Sequence, residues 1–275
     1  MKVLRLDELH PVAGGNKWFK LKYNLEKIRN ENKEFLVTFG GAHSNHIIAT
    51  AAAGKEYSIK TIGIIRGDEL NENSNPALKF AAACGMSLFF VSRDEYREMR
   101  TSGALISRFF SNFKIPPAQL EILPEGGSNT LAVKGCREIT DLIRDDFDYI
   151  CCACGTGSTL AGITMGLKNH QQAIGISVLN GKPFLEKDIL AMNGGNSNFS
   201  VKHQFSHGGY AKSNPELNLF CKSFSLKNAI PVEPVYTGKL FYGLYDLIRN
   251  DYFKKGSAIV AVHTGGVWQW DQYND

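Results

Sequence analysis

The sequence predicts an α/β chain built on a mainly parallel, doubly wound sheet, and three observations carry that prediction. Short β-prone apolar runs alternate with amphipathic helical stretches along most of the chain. Paired glycines stand where several of those runs end, as at Gly40-Gly41 and Gly265-Gly266. The 275 residues are 43% hydrophobic, which is ample core for two modest domains or one large one. Strands that alternate with helices pair in parallel, and the helices cover both sheet faces.

Taken in order, Phe35–Phe39 reads as a buried strand stopped by Gly40-Gly41, and Ser44–Glu56 is alanine-rich and helical. Ile59–Ile65 is a second strand, followed by a polar loop to Asn75 and a helix to Cys84. Ser87–Val91 is a strand, Asp94–Phe110 a helix, and Ser128–Arg144 another helix with Leu131, Cys136, Ile139 and Ile143 near a 3.6-residue period. Tyr149–Ala153, a helix from Ser158, and Ala173–Leu179 make one β-α-β unit. Lys239–Phe253 sets Leu240, Leu244, Leu247 and Ile248 on one helical face, and Ala258–Val262 is the last apolar run.

Composition bounds the setting. Lys and Arg (31) exceed Asp and Glu (27) by four, and the basic residues are scattered. Nucleic-acid recognition needs a concentrated basic stripe, so that partner class is excluded. No apolar run approaches the ~18 residues of a membrane span, and the first residues have no secretory apolar core. A soluble, cytoplasmic protein is the expectation. Six cysteines in a chain of this length are no disulfide framework; Cys151, Cys152 and Cys154 read as buried thiols on alternate faces of a strand.

Open sheets of this class bind ligands beyond the C-terminal ends of their strands, where the strand order reverses. Cys154-Gly155-Thr156-Gly157-Ser158-Thr159 lies between an apolar run and a helix. Its glycines admit close backbone approach, the helix start offers unpaired N–H groups, and three hydroxyls add donors, which together suit a phosphate. Leu160 stands where a dinucleotide fingerprint needs glycine, and no Lys-Ser/Thr pair closes a nucleotide P-loop. The same residues serve equally as an unliganded glycine turn with a Ser/Thr cap. Lys17, after Gly14-Gly15-Asn16, is a nucleophile only in a pocket that keeps its amine unprotonated, and otherwise is a surface lysine like Lys20 and Lys22. His43-Ser44-Asn45-His46 either reaches into a cleft or caps a helix among solvated histidines. His43 and His46 lack a third ligand, so no metal is expected. Tyr210, Tyr236 and Thr264 read individually as core or turn residues.

Together these pieces resemble a known family. Gly-Gly-Asn-Lys-Trp-Phe-Lys-Leu-Lys-Tyr-Asn-Leu (14–25) resembles the Schiff-base lysine segment of the pyridoxal phosphate-dependent 1-aminocyclopropane-1-carboxylate deaminases and D-cysteine desulfhydrases. Gly-Gly-Ala-His-Ser-Asn-His (40–46), Cys-Gly-Thr-Gly-Ser-Thr (154–159), Gly-Gly-Tyr-Ala-Lys (208–212), Pro-Val-Tyr-Thr-Gly-Lys (234–239) and His-Thr-Gly-Gly (263–266) follow in the family's order.

The resemblance implies the tryptophan synthase β-like architecture, fold type II. Two domains each hold a mainly parallel twisted sheet flanked by helices, with the cofactor in the cleft between them. Residues 1–19 plus 129–275 would form the large cofactor-binding domain and 20–128 the small one. It implies that Lys17 carries pyridoxal 5′-phosphate and moves the Cα proton. Asn45 would bond the ring's 3′ oxygen, and Gly155, Thr156, Gly157, Ser158 and Thr159 would hold the phosphate. Tyr236 would pack on the pyridine ring. Ser44, Asn45, His46 and Tyr210 would contact the substrate, with Ser44, Tyr210 and Tyr236 joining Lys17 as catalytic residues. Thr264 would face the pyridine nitrogen, where a hydroxyl supports less positive charge than a carboxylate and so suits β-elimination with a good leaving group.

The deaminases of this family carry Glu where this chain has Thr237, and Leu where it has Thr264. Both departures point to D-cysteine, giving pyruvate, ammonia and sulfide, with 1-aminocyclopropane-1-carboxylate as the alternative substrate. The family further implies a homodimer acting on a small amino acid, with neither nucleic acid nor membrane as partner. This chain starts closer to its lysine segment, and ends sooner after Gly266, than is usual in the family, so altered access to the site is expected. A non-catalytic phosphate-ligand-binding protein and an inactive partner subunit are the other classes left open.

Overall fold

Nine parallel-paired strands form among the described residues, which in the computed structural model are 1–10, 12, 14–181 and 184–266. They are β1 (Lys2–Arg5), β2 (Phe35–Gly40), β3 (Lys60–Arg66), β4 (Ser87–Val91), β5 (Leu120–Leu123), β6 (Tyr149–Cys154), β7 (Gln172–Ser177), β8 (Phe199–Lys202) and β9 (Ile259–His263). The chain divides into two units, Met1–Phe19 with Val133–Asp275, and Lys20–Ala132.

In the first unit the strand order is β1-β9-β6-β7-β8, with every neighbouring pair parallel. From β6 the chain passes through helix Ser158–Met165 to β7, and through helix Leu185–Met192 to β8, moving outward on one side. Helices Pro215–Asn228 and Thr237–Arg249 then return it to β9, on the other side of β6. The order therefore reverses between β6 and β9, and the loops leaving their C-terminal ends flank a topological switch point.

Side chains alternate across this sheet as a two-residue period requires. Cys152 and Cys154 join Val260 and Val262 in the core on one face. Cys151 and Ala153 join Ile259 and Ala261 on the other, under the returning helices.

The second unit repeats the plan with four parallel strands in the order β4-β3-β2-β5. Helix Asn45–Tyr57 leads from β2 to β3 and helix Pro76–Ala83 from β3 to β4. Helices Arg93–Met99 and Gly103–Ser111 lead back to β5 beside β2, so here the reversal falls between β2 and β5. Phe89, Phe109, Phe110 and Phe113 meet edge-on or tilted beneath that return, as aromatic quadrupoles prefer.

Several elements differ from the sequence expectation. The helix expected over 94–110 is two, because Ser102 turns out of helical geometry and accepts from Leu105 N at 3.3 Å, starting a new helix. The helix expected over 128–144 is Thr130–Arg137 followed by a short 3-10 turn. Ile248 is 41% exposed although Leu240, Leu244 and Leu247 are buried, since one residue beyond Leu247 lies about 100° further round the helix. No helix among the described residues is long and apolar enough to cross a membrane.

All six cysteines are thiols, five of them buried and Cys84 half-buried. Burial pushes the Cys221 thiol up to about 12 and raises Cys151 further. A disulfide reagent is therefore expected to modify one thiol, Cys84, in the native protein, and all six after denaturation. Two or more fast native modifications would contradict this core.

Candidate active site

The loop after β6 is built to take an anion. Helix Ser158–Met165 begins at Gly157, whose φ of 87° places it in the left-handed region and which has no side chain to cap the helix. Helices Asn45–Tyr57, Pro76–Ala83, Arg93–Met99, Gly103–Ser111 and Pro215–Asn228 each satisfy a first-turn N–H with a Ser or Asn side chain. The helix after Gly157 leaves that place to something else. The hydroxyls of Thr156 and Ser158 lie 3.3 Å apart beside it, and the side chains from Gly155 to Thr159 bring no negative charge.

The Lys17 segment is tied to this switch point from both sides. Asn16 donates through Nδ2 to Thr159 Oγ1 at 2.8 Å, and through its backbone N–H to the Thr264 carbonyl at 3.2 Å. Gly15, with φ of 79°, lies against the same residue: a Cβ there would sit 2.0 Å from the Thr264 oxygen. Lys17 follows in the first turn of helix Asn16–Asn30 and is half-buried. Residues that follow the β6 loop and residues that follow β9 thus converge on the segment that carries the lysine.

Thr264 is buried and leaves β9 directly after His263, which is itself fully buried. His263 Nδ1 lies 2.9 Å from Asp7 Oδ1, and its Nε2 donates to the Pro231 carbonyl at 2.7 Å. Burial alone would raise the Asp7 carboxyl, but His263 and Arg5 outweigh it and hold the group well below the usual carboxylate range. This buried pair fixes the strand end from which Thr264 emerges.

Tyr236 precedes helix Thr237–Arg249, and its ring covers the β6 loop: a Cβ on Gly155 would stand 3.4 Å from Cε1. The Tyr210 ring meets it edge-on, with centroids 5.9 Å apart, and Tyr210 is 47% exposed. The turn under Tyr236 is held by Glu233, which the sequence did not single out. Its carboxylate accepts from the backbone N–H groups of Val235 (2.6 Å), Tyr236 (2.9 Å) and Thr237 (2.8 Å). Thr237 Oγ1 donates to it at 3.1 Å while accepting from the Glu233 N–H at 3.0 Å. Lys239, also fully buried, donates to the Gly209 carbonyl at 2.6 Å.

In the second unit the switch point carries Ser44, Asn45 and His46. Ser44 caps helix Asn45–Tyr57, accepting from Ile47 N at 3.4 Å, and Asn45 opens the helix half-buried. Gly40 permits this tight turn, since a Cβ there would lie 2.8 Å from Ser44 Cβ. Taken alone, His46 suggests a solvated histidine at a helix start; the structure buries it. Its Nε2 is 2.8 Å from Thr38 Oγ1, and Gly127, in the loop after β5, packs on the imidazole face. Lys20, expected at the surface, is likewise buried and donates to the Gly126 carbonyl at 3.0 Å. At the end of β3, Arg66 joins His43, Tyr96 and Arg100 in lining a cavity of about 510 Å³, a basic wall that no motif announced. Among the described residues, no group of three or more His, Cys, Asp and Glu side chains is placed to hold a metal ion.

An uncapped helix start with added hydroxyls, an aromatic ring over it and a lysine segment locked beside it fit a phosphorylated aromatic aldehyde such as pyridoxal phosphate. The comparisons agree. A model of the family described as "Pyridoxal-phosphate dependent enzyme" matches residues 3–265. A Thermotoga maritima protein provisionally named 1-aminocyclopropane-1-carboxylate deaminase is 30% identical over 97% of this chain and 88% of its own. The bifunctional D-cysteine desulfhydrase/1-aminocyclopropane-1-carboxylate deaminase of Arabidopsis thaliana mitochondria is 30% identical over 92% of this chain and 69% of its own. Among solved structures, an ACC deaminase homologue superposes with a TM-score of 0.82 at 26% identity, covering 98% of this chain and 86% of the other. Fold, site and relatives agree that this chain belongs to the pyridoxal-phosphate dependent enzyme family, among the relatives of the 1-aminocyclopropane-1-carboxylate deaminases and D-cysteine desulfhydrases.

Proposed function

We propose that this chain is a pyridoxal phosphate-dependent lyase that releases ammonia from a small amino acid by α,β-elimination, with D-cysteine as the lead substrate. Pyridoxal phosphate supplies the electron sink that makes the Cα–H bond of an amino acid acidic. In this reading Gly155, Thr156, Gly157, Ser158 and Thr159 bind the phosphate through N–H and O–H donors. Tyr236 would orient the ring, and Asn45 and Thr264 would serve its 3′ oxygen and its nitrogen. Lys17 Nζ holds the cofactor and then takes the Cα proton. Ser44, Asn45 and the neighbouring N–H groups receive the substrate carboxylate, and Tyr210 borders the substrate. As the Cα–H and Cβ–S bonds break, a Cα=Cβ bond forms and hydrosulfide departs. Water then hydrolyses the released enamine to pyruvate and ammonia.

The observation that favours elimination over cyclopropane opening is the state of Thr237. It occupies the place of the deaminases' glutamate, and its hydroxyl is spent on Glu233 as both donor and acceptor. No acid–base group therefore stands free after Tyr236. In this reading residues 1–19 with 129–275 form the large cofactor-binding domain and 20–128 the small one. The family resemblance supports a homodimer, and six thiols outside disulfides favour a reducing compartment such as the cytoplasm.

The test is release of pyruvate and sulfide from D-cysteine by the pyridoxal phosphate-loaded protein, scored beside L-cysteine and 1-aminocyclopropane-1-carboxylate. Release from D-cysteine supports the reading. Release of 2-oxobutanoate from the cyclopropane substrate alone transfers it to the deaminase alternative. A colourless protein that takes up no pyridoxal phosphate transfers it to a non-catalytic phosphate-ligand binder.

A further inference from the structure

The geometry points to Glu233 and Lys239 as a buried positioning couple that sets the two tyrosines of the site, Tyr236 through its own turn and Tyr210 through the peptide that precedes it. The inference rests on the functional reading for what the tyrosines do, and on the fold alone for what holds them.

Neither charged residue is explained by stability. Glu233 is 6% exposed and Lys239 0% exposed, and burying either group is costly unless its hydrogen bonds are met. They are met by the backbone on either side of the tyrosines. The Glu233 carboxylate takes the N–H of Tyr236 itself together with those of Val235 and Thr237, so it fills the anion place at the start of helix Thr237–Arg249. Gly238 closes the turn: its N–H donates to the Glu233 carbonyl at 2.7 Å, and a Cβ there would meet the same oxygen at 2.7 Å.

Lys239 comes from the same first helical turn and reaches the other tyrosine. Its Nζ bonds the Gly209 carbonyl at 2.6 Å, and that carbonyl belongs to the peptide joining Gly209 to Tyr210. Gly208 and Gly209 have φ of 89° and 113°, so this stretch lacks the steric limits that would otherwise fix the Tyr210 peptide. A charge-assisted bond supplies the missing restraint. One helix start thus holds both rings, which meet at 5.9 Å.

The protonation of the pair is in balance. Burial pushes Glu233 up to about 7, against the pull of its three N–H donors and Thr237. Burial pushes Lys239 down to about 8, against the attraction of Glu233. Burial works against the charged form of each group, and for Glu233 it is opposed by the same N–H and O–H donors that set the Tyr236 turn.

The experiment compares wild type, Lys239→Met and Glu233→Gln by peptide-resolved hydrogen exchange, with and without pyridoxal phosphate, and by kinetics of the loaded enzyme. Lys239→Met is expected to speed exchange in residues 206–212 by at least about tenfold, while strands β6 and β9 keep wild-type protection. Its kcat is expected to fall by about tenfold or more, with affinity for pyridoxal phosphate changed less than about threefold. Glu233→Gln, which keeps one acceptor oxygen, is expected to loosen residues 234–238 and to lower kcat less than Lys239→Met. Unchanged exchange at 206–212 in Lys239→Met overturns the inference, as does a uniform rise over the whole chain, which marks a purely structural role. If wild type turns over no amino acid, the functional reading falls by itself, and the exchange result still decides what holds Tyr210.

Discussion

Lys17→Ala is expected to remove both the borohydride-fixed cofactor adduct and the turnover, by at least about 10³-fold, without unfolding the protein. Lys17 is half-buried in the first turn of helix Asn16–Asn30, and alanine is the best helix former. The anchors that fix the segment, the Asn16 side chain on Thr159 and the Asn16 N–H on Thr264, do not involve the lysine side chain. Thermal midpoints of the cofactor-free proteins should therefore agree within a few degrees. Lys20 and Lys239, two buried lysines near this chemistry in sequence or fold, are committed to the carbonyls of Gly126 and Gly209. Retention of turnover within about tenfold of wild type would move the base elsewhere. An adduct that survives in Lys17→Ala would move the anchor.

Gly15→Ala is the second large effect, and it acts on the backbone. A left-handed φ of 79° costs a residue with a Cβ about 1–2 kcal/mol. The Cβ would also stand 2.0 Å from the Thr264 oxygen and 2.6 Å from its carbonyl carbon, both backbone atoms that no rotamer change can move. Relieving that overlap adds roughly 1–3 kcal/mol of strain. The relief must separate the Lys17 segment from Thr264, so cofactor affinity falls together with stability. Gly181→Ala provides the control: φ is 64° but nothing lies within 4 Å of the added carbon, so only the backbone cost of about 1 kcal/mol is expected. Urea unfolding of the two variants with a pyridoxal phosphate titration separates the terms. Equal losses in both, with equal cofactor affinity, would show that Gly15 serves the turn and not the lysine.

The legible parts of the fold are those whose physics leaves a local mark. Strands β2, β3, β6 and β9 are buried on both faces, so they read as near-continuous apolar runs bounded by polar residues or glycine. Strands β1 and β8 lie at the sheet edges, have four residues each and only partly bury them, so no run marks them. Helix Pro215–Asn228 was not read from its residues, although its start has the local marks of a cap, Asn214 followed by Pro215. The break between Arg93–Met99 and Gly103–Ser111 depends on one serine cap within an otherwise continuous helical pattern.

The site divides the same way. Glycine-rich turns at strand ends are local, and Gly40, Gly155 and Gly157 announce the two switch points. Long-range partners are not. Asp7 meets His263 only because β1 pairs with β9, and no spacing joins the two residues. Lys239 looks like any lysine on an amphipathic helix until the Gly209 carbonyl arrives beside it. His46 shows the converse. It lies beside Ser44 and Asn45 in sequence, while Thr38 on β2 and the sequence-distant Gly126-Gly127 turn enclose it.

The measurement that bears most directly on the site is the location of the cofactor's covalent link. The pyridoxal phosphate-loaded protein is reduced with borohydride, digested with trypsin and read by mass spectrometry. The account predicts the pyridoxyl phosphate mass on one peptide spanning Lys17, with cleavage after Lys17 blocked. Reduction on Lys20, Lys22 or Lys239, or a reduced protein with no modified peptide, would contradict it.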